Sequence, residues 1–331
     1  MLSFARKLKL RLRHTPLWVN FRRVQNLGVR RTLLCHRTLP LILRTLPVTT
    51  QPVSDKPGTP CEVHILTFNG DCHAALWTAK SFYHYAQVDY PLVWHEGGVL
   101  SPANRQLLKN HFPQSRLMTR SESTARVEPW LSENGLGLCL EARRRSMPMM
   151  KVLDFVMLSR AERLLGLDSD VLFFREPREI TGGVKTNINH NLFNHEPDGT
   201  CAYGVAPHAA RERYGFEMVE GLNAGLFLLK RESLSLKMME EFLQDPDIWA
   251  NSWIIEQTLL ALCHSRTGVG FLPRSYLVTG NYRPGLTDAA GNLLTAKHYS
   301  GGGRALLCEE GMRQLIKQGF IDTMSAPAEA A

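Results

Sequence analysis

The stretch that decides the fold reads Leu164-Leu165-Gly166-Leu167-Asp168-Ser169-Asp170-Val171-Leu172-Phe173-Phe174-Arg175-Glu176-Pro177. Seven of its residues are Leu, Val or Phe, which is typical of a strand buried on both faces of a sheet. Two carboxylates in such a run are costly to bury unless a partner neutralises them. Side chains at i and i+2 of a strand project to the same side, so we predict that Asp168 and Asp170 reach one ion or ligand together. Because carboxylate oxygens are the ligands that Mg²⁺ and Mn²⁺ prefer, the stretch predicts a divalent-cation site at a strand end.

The spacing Asp-x-Asp is a weak signal on its own, and the chain contains a second copy at Asp245-Pro246-Asp247. That copy lies in a polar stretch and has a proline at its centre. These features predict a turn or the start of a helix. The apolar flanks therefore distinguish Asp168 and Asp170 from the second pair.

The rest of the chain alternates between strand-like and helix-like segments, which predicts an α/β fold with a mostly parallel sheet. The first predicted strand ends in a small polar loop, where open α/β sheets bind nucleotides, although a Gly-x-Gly-x-x-Gly fingerprint is absent. We predict strands at 61–68, 90–95 and 222–229, and helices at 74–85, 102–110, 147–159 and 253–262.

The N-terminal segment carries the positive charge of the protein. Residues 1–54 contain eleven Lys or Arg and no Asp or Glu, whereas the remaining chain has 28 basic and 31 acidic residues, a formal charge of −3. Leu, Phe and Trp are interleaved with the basic residues, which favours an interfacial helix on an anionic membrane over a nucleic-acid tail. A transit peptide and a disordered arm without a role are the alternatives.

Composition shifts divide the chain into four segments. We predict a basic amphipathic arm at 1–54, a Pro- and Gly-rich linker at 55–60, one large α/β domain at 61–310, and a C-terminal helix with a disordered tail at 311–331. The seven cysteines are odd in number and irregularly spaced, which predicts reduced thiols and argues against a disulfide framework or a zinc knuckle.

Two loops carry further polar groups. The segment 187–195 is rich in Asn and His, and predicts either an array that binds sugar hydroxyls or a surface loop. The segment 296–304 has three glycines between His298 and Arg304, which predicts a flexible, anion-binding loop. Together with Asp168 and Asp170, it would supply the ligands of one divalent ion and a clamp for a diphosphate.

The order of these motifs resembles a known family. Leu-Asp-Ser-Asp-Val, then Leu-Asn-Ala-Gly-Leu, then Glu-Gln, then His-x-x-Gly-x-x-Arg is similar to the nucleotide-sugar-dependent glycosyltransferases of the GT-A fold, and most similar to family 8, which includes glycogenin and bacterial galactosyltransferases. The resemblance covers residues 61–307 and implies a Rossmann-like, mixed and mostly parallel sheet flanked by helices, in a single large domain.

The resemblance also assigns roles to residues. It implies a metal site at Asp168, Asp170 and His298, and catalytic positions near the transferred sugar at Asn223, Glu256 and Gln257. It implies donor-binding positions at Thr67, Asn69, Lys151, Asp168, Ser169, Asp170, Ala224, Gly225, Gly301 and Arg304. For Lys151 the alternative is a solvated lysine. The sequence departs from the family at Arg304-Ala305-Leu306, where Lys-Pro-Trp is usual, and at Glu256, where Asp is usual.

The function implied is transfer of a hexose, with retention of configuration, from a nucleoside-diphosphate sugar to an acceptor hydroxyl. The cofactor would be Mn²⁺ or Mg²⁺, the donor a UDP-sugar, and the acceptor a glycan, a lipid or a protein. The alternatives are a nucleotidyltransferase and a non-catalytic, membrane-associated protein that binds a nucleotide sugar. We expect a cytoplasmic protein, peripheral on the inner membrane face, and no nucleic-acid partner.

Overall fold

A computed structural model describes residues 58–196, 202–279 and 284–325, together with positions 24, 29, 45–47, 53–54 and 56. Most of the predicted arm and the end of the predicted tail lie outside these residues. By their internal contacts the residues form two compact units. The larger unit covers Val48–Val278 and Thr287–His298, and the smaller unit includes Thr279–Leu286 and Tyr299–Ala331.

A ten-stranded sheet is the centre of the larger unit. Its spatial order is β3-β2-β1-β4-β7-β6-β9-β10-β5, and β8 pairs with β6. The strands are β1 (Cys61–Thr67), β2 (Leu92–Glu96), β3 (Arg116–Met118), β4 (Arg163–Leu167), β5 (Val171–Phe173), β6 (Leu192–His195), β7 (Leu222–Lys230), β8 (Gly270–Phe271), β9 (Tyr276–Val278) and β10 (Ala296–His298).

Most strand pairs in the sheet are parallel. β1 pairs in parallel with β2 and β4, while β7 runs antiparallel to β4 and β6, and β5 antiparallel to β10. Every residue of β1 is buried, as expected of a strand covered on both faces. The predicted class, a mixed and mostly parallel sheet flanked by helices, is confirmed.

Helices connect the strands of the larger unit. The long helix Ile255–Thr267 packs against β7, and the helix Cys72–Ala86 packs against β1 and β5. The helices of this unit are α1 (Cys72–Ala86), α2 (Pro102–His111), α3 (Arg120–Glu133), α4 (Gly137–Arg145), α5 (Met149–Val152), α6 (Asp154–Leu158), α7 (Arg178–Lys185), α8 (Pro207–Tyr214), α9 (Leu236–Phe242) and α10 (Ile255–Thr267).

The smaller unit consists of short helical segments in its described residues. The π-helix among them is bonded to residues that precede these segments, because the Glu310 carboxylate accepts hydrogen bonds from the Tyr299 hydroxyl at 3.2 Å and the Gly285 N–H at 2.7 Å. The segments are a 3₁₀ helix (Gly301–Ala305), a π-helix (Leu307–Met312), α11 (Arg313–Lys317) and α12 (Phe320–Ser325).

The stretch 164–177 does not form one strand, so the prediction of a single buried strand was wrong. It forms β4 and β5, which lie at different places in the sheet, and the intervening Asp168–Asp170 form a turn closed by a hydrogen bond from the Val171 N–H to the Asp168 carbonyl. The turn places both carboxylates at the end of β4, where Asp168 is half-buried and Asp170 is buried. The two side chains converge because of the turn and not because of strand alternation.

Three other local predictions also needed correction. Segment 147–159 forms two short helices, α5 and α6, instead of one. Segment 187–195 is not a surface loop at its end, since β6 begins at Leu192 and Asn191 is buried, with hydrogen bonds to Ser233 and the Lys230 N–H. Segment 296–304 is not a flexible loop, because it forms β10 and a 3₁₀ helix.

Histidines buried in the larger unit make its stability sensitive to acid. His64 on β1 and His95 on β2 are fully buried, with Nδ1 of His64 2.9 Å from Nε2 of His95. Burial lowers the pKa of His64, although Glu62 lies 3.4 Å away, and holds the pKa of His95 well below its usual range. Burial also lowers the pKa of His264 to about 4. These rings are therefore neutral in the folded protein.

We expect the free energy of unfolding to fall as the pH drops below about 6.5. The histidines bind protons in the unfolded chain at this pH, whereas they stay neutral when buried in the folded protein. Substitution His95→Gln should flatten this dependence by up to about 1.4 kcal/mol per pH unit, as it removes one such group. Denaturant unfolding at pH 7.5 and pH 5 measures the effect. The exposed His208 supplies the control His208→Gln, and an equal flattening in both variants would contradict the prediction.

Candidate active site around Asp168, Asp170 and His298

One edge of the sheet collects most of the predicted site residues. Asp168 directly follows β4, and β7 begins beside it, because the pairing of Leu167 with Leu226 places Asn223–Gly225 next to the end of β4. The Asp168 N–H donates to the Gly225 carbonyl at 2.8 Å. His298 is the last residue of β10, Lys151 lies in α5, and Glu256 and Gln257 lie in the first turn of α10.

Asp168, Asp170 and His298 form a group that could hold a metal ion. One ligand atom from each lies within 4.8 Å of the others, and the described part of the chain has one such group. Nε2 of His298 is 3.3 Å from an oxygen of Asp170 and 3.6 Å from Oδ2 of Asp168. Although burial opposes it, the neighbouring Asp170 and Asp168 raise the pKa of His298, so the site attracts positive charge.

Lys151 is not solvated, contrary to the alternative that a lone lysine favours. Its ammonium is buried, 2.9 Å from Oδ1 of Asp168 and 3.0 Å from Oε1 of Glu256, and it donates to the Ala224 carbonyl at 3.2 Å. Despite burial, these two carboxylates raise its pKa, so the lysine stays charged. Asp168 thus gives one oxygen to Lys151 and turns the other toward His298.

Glu256 is a buried carboxylate with a partner on one of its two oxygens among the described residues. Its Oε1 pairs with Lys151, while its Oε2 has no hydrogen-bond partner among the described residues. Burial raises the pKa of this group, and the nearby ammonium only partly offsets that effect. A buried oxygen without a partner is costly, which suggests that a ligand hydroxyl satisfies it.

Two side-chain amides are held tightly next to the metal-binding group. Asn223 accepts hydrogen bonds through Oδ1 from the Gly225 N–H, at 2.9 Å, and faces Nδ1 of His298 at the same distance. The amide of Gln257 accepts from the Ala224 N–H at 3.1 Å and donates to the Ala202 carbonyl at 3.2 Å. Both amides are thus engaged within the protein itself.

Sequence reasoning missed Glu196, which joins these amides. Its Oε1 accepts from Nδ2 of Asn223 at 2.9 Å and from Nε2 of Gln257 at 3.3 Å. Glu196 directly follows β6, one residue beyond the Asn- and His-rich stretch. A carboxylate at the end of a strand was the available signal, but only the sheet order brings β6 beside β7.

No family model and no curated protein matches this chain. Similar solved structures exist.

Mouse xyloside xylosyltransferase 1 is 14% identical, with a TM-score of 0.47 over 72% of this chain and 96% of that protein. The galactosyltransferase LgtC, solved with donor and acceptor sugar analogs, is 14% identical, with a TM-score of 0.49 over 81% of this chain and 98% of its own. Core-mannan synthase A from Aspergillus fumigatus, in an Mn/GDP form, is 9% identical, with a TM-score of 0.43 over 70% and 77%.

Gly225 leaves room for the His298 ring. A Cβ at this position would lie 2.1 Å from Cε1 and 2.3 Å from Nδ1 of that ring, distances that real Cβ atoms do not show. Since the ring must pass over this position to face Asp168 and Asp170, the glycine is required by close approach.

We expect Gly225→Ala to displace His298 and to weaken Mn²⁺ binding by at least about tenfold, the lower range seen when the support of a metal ligand is removed. Isothermal titration with Mn²⁺ measures the change. The control is Gly182→Ala in α7, where an added Cβ meets nothing within 4 Å. Equal Mn²⁺ affinities in both variants would contradict the packing role of Gly225.

The remaining predicted donor-binding residues have other contacts in the larger unit. Thr67 is fully buried, and its hydroxyl lies 3.8 Å from the Cys72 sulfur. Asn69 holds the loop after β2, since it donates to the Val99 carbonyl at 2.8 Å and accepts from the Ser101 N–H at 2.7 Å. The Ser169 hydroxyl donates to Asp71 at 3.3 Å. Their role toward a nucleotide stays a prediction.

Gly301 and Arg304 belong to the 3₁₀ helix of the smaller unit. Their role as a diphosphate clamp stays a prediction.

The second Asp-x-Asp pair lies at a helix start, as predicted, because Asp245 caps a 3₁₀ helix at Pro246–Ala250. Arg213 pairs with Asp245 at 2.8 Å and with Asp247 at 2.6 Å.

Proposed function

We propose that this protein is a divalent-cation-dependent glycosyltransferase that moves a hexose from a nucleoside-diphosphate sugar, foremost a UDP-sugar, to an acceptor hydroxyl. The observation that carries the proposal is the convergence of Asp168, Asp170 and His298, with the buried Lys151 behind them. The same convergence explains why the carboxylates tolerate their partly buried positions.

The donor set fits Mn²⁺ or Mg²⁺. Two carboxylates are hard ligands typical of both ions, and an imidazole adds affinity for Mn²⁺. With His298 neutral, the three carboxylates of Asp168, Asp170 and Glu256 exceed the one ammonium of Lys151 by two charges, which one divalent ion would balance. When bound, such an ion neutralises charge on a diphosphate as a Lewis acid.

In the proposed reaction the bond between the anomeric carbon and the diphosphate oxygen breaks, and its electron pair goes to the nucleoside diphosphate. The acceptor oxygen forms the new bond to the anomeric carbon, and its proton is taken up by the departing nucleoside diphosphate. Oε2 of Glu256 is placed to accept a hydrogen bond from a sugar hydroxyl, and Lys151 keeps Glu256 and Asp168 in position. We propose retention of the anomeric configuration, as the motif resemblance implies.

The test is a panel of UDP- and GDP-sugars incubated with the protein, Mn²⁺ and simple acceptors. We expect release of nucleoside diphosphate that depends on Mn²⁺ and stops on chelation, and a product with retained configuration by proton NMR. Release of pyrophosphate from a nucleoside triphosphate and a sugar phosphate would indicate a nucleotidyltransferase instead. Donor binding without turnover would indicate a binding protein.

We also propose that the arm at 1–54 attaches the protein to the cytoplasmic face of a membrane. No helix among the described residues has the length and apolarity to cross a bilayer. Interleaved basic and apolar residues bind anionic bilayers by charge and by shallow insertion together, and each near-surface Lys or Arg contributes about 1 kcal/mol.

We expect the full chain to sediment with anionic vesicles at low salt and to be partly released at high salt. A variant with all eleven Lys and Arg of the arm changed to Gln should stay in the supernatant. The rest of the chain, at −3, has no comparable attraction to such vesicles. Vesicle binding that survives the variant, or a preference for RNA over vesicles, would contradict the proposal.

A further inference from the structure

Glu196 is linked to His298 through a single side chain, that of Asn223. Nδ2 of Asn223 donates to Oε1 of Glu196 at 2.9 Å, and Oδ1 of Asn223 lies 2.9 Å from Nδ1 of His298. Asn223 and His298 are buried, whereas Glu196 is half-buried. The three residues come from β7, β10 and the end of β6.

The orientation of the Asn223 amide is fixed at both ends. A carboxylate only accepts hydrogen bonds, so the amide atom facing Glu196 is the nitrogen. A backbone N–H only donates, so the amide atom that Gly225 contacts at 2.9 Å is the oxygen. These two independent constraints agree, and a flipped amide would lose both hydrogen bonds.

The fixed amide in turn favours one position for the His298 proton. Because the Asn223 oxygen can only accept, it stabilises the neutral ring that donates from Nδ1 and has its lone pair on Nε2, against the carboxylates of Asp168 and Asp170, which favour a proton on Nε2. Nε2 is the nitrogen that faces Asp168 and Asp170, at 3.6 and 3.3 Å. A metal ligand needs that lone pair, and such ligands are usually oriented by a hydrogen bond from the second ring nitrogen.

We propose that Glu196 is a positioning residue which, through Asn223, keeps His298 in the tautomer whose Nε2 can bind a divalent cation. The inference rests on the metal site of the proposed function and adds a residue that the motifs do not include. Loss of such an outer hydrogen-bond partner typically lowers metal affinity 10- to 100-fold.

Two substitutions at Glu196 test this directly. Glu196→Leu removes the acceptor for Nδ2 of Asn223, whereas Glu196→Gln keeps a side-chain oxygen that can still accept this hydrogen bond. We expect Glu196→Leu in the full chain to bind Mn²⁺ at least about tenfold more weakly by titration, and Glu196→Gln to retain most of the affinity.

The control is Glu240→Gln, which changes a carboxylate with two hydrogen bonds outside the site, from the N–H groups of Leu138 and Cys139. It should leave Mn²⁺ affinity unchanged. Unchanged affinity in Glu196→Leu, or an affinity of Glu196→Gln as weak as that of Glu196→Leu, would overturn the proposal.

A second measurement separates this proposal from the glycosyltransferase assignment. Nitrogen-15 NMR of the histidine rings in the metal-free protein, at alkaline pH where the ring is neutral, should show a larger share of the His298 proton on Nδ1 in the wild-type protein than in Glu196→Leu. Equal shares in the two proteins would overturn the positioning role, even if sugar transfer is observed. The expected NMR result without any sugar transfer would contradict only the proposed function.

Discussion

Replacing Asp168 and Asp170 together by asparagine is expected to abolish sugar transfer while the protein stays folded. The two substitutions keep the side-chain volumes but remove both negative charges from the turn between β4 and β5, so His298 would be the one ligand left of the three. A metal ion that stabilises a leaving diphosphate contributes several kcal/mol, and each 1.4 kcal/mol is a factor of ten in rate. We therefore expect a fall of more than about a thousandfold in the rate of nucleoside-diphosphate release.

The second Asp-x-Asp pair provides a matched control for this experiment. Asp245 and Asp247 have the same spacing, but they pair with Arg213 at a partly exposed position. Such ion pairs contribute about 0–1 kcal/mol to stability, so Asp245→Asn with Asp247→Asn should leave transfer nearly unchanged. Circular dichroism confirms folding in both variants. Equal loss of activity in the two double variants, or none in the first, would contradict the metal assignment.

The strands and helices could be predicted where burial controls composition. β7 is buried almost throughout, so it appears in the sequence as an apolar run. β1 is also buried but contains Glu62 and His64, and it could be predicted from its β-branched residues and the turn residues that follow it. Helix α10 is buried on most sides, and its sequence is apolar on most sides for that reason. These elements depend on local pattern, and the alternation of strands with helices then implies a parallel sheet.

The details of the site depend on contacts between distant segments, which a local pattern does not contain. The spacing of Asp168 and Asp170 indicated a shared ligand, but not that a turn separates β4 from β5. Lys151 looks like any solvated lysine until α5 is placed against α10, where its charge meets Glu256. Glu196 had no motif at all, because its contact with Asn223 exists only after β6 and β7 pair.

Lys151→Met is expected to cause the largest loss of stability of any substitution proposed for this protein. The change keeps most of the side-chain length but removes the ammonium that lies 2.9 Å from Asp168 and 3.0 Å from Glu256. Removing one partner of a buried ion pair typically costs about 3–5 kcal/mol, because the remaining charge is left in a poorly solvated place. Denaturant unfolding at pH 8 should show a loss of this size.

The pH dependence of that loss tests its cause. Without the ammonium, burial and the neighbouring Asp168 both raise the pKa of Glu256 and only the Gln257 N–H opposes them, so this pKa, already raised in the folded protein, rises further. A carboxyl whose folded pKa is raised binds its proton more tightly in the folded than in the unfolded state, so folding becomes more favourable as the pH falls through that value. The stability difference between the original protein and Lys151→Met should therefore be smaller at pH 5 than at pH 8, and changes shared by both proteins, such as those of the buried histidines, cancel in it.

The double variant Lys151→Met with Glu256→Gln completes the test. It removes one cation and one anion together, so it should be more stable at pH 8 than Lys151→Met alone, and its deficit should depend less on pH. The difference between the double variant and the sum of the two single variants measures the coupling of the pair, expected to fall in the range of about 0.5–3 kcal/mol found for residues in contact. Additive effects, together with a deficit that is the same at both pH values, would show that Lys151 acts through packing and not through its charge.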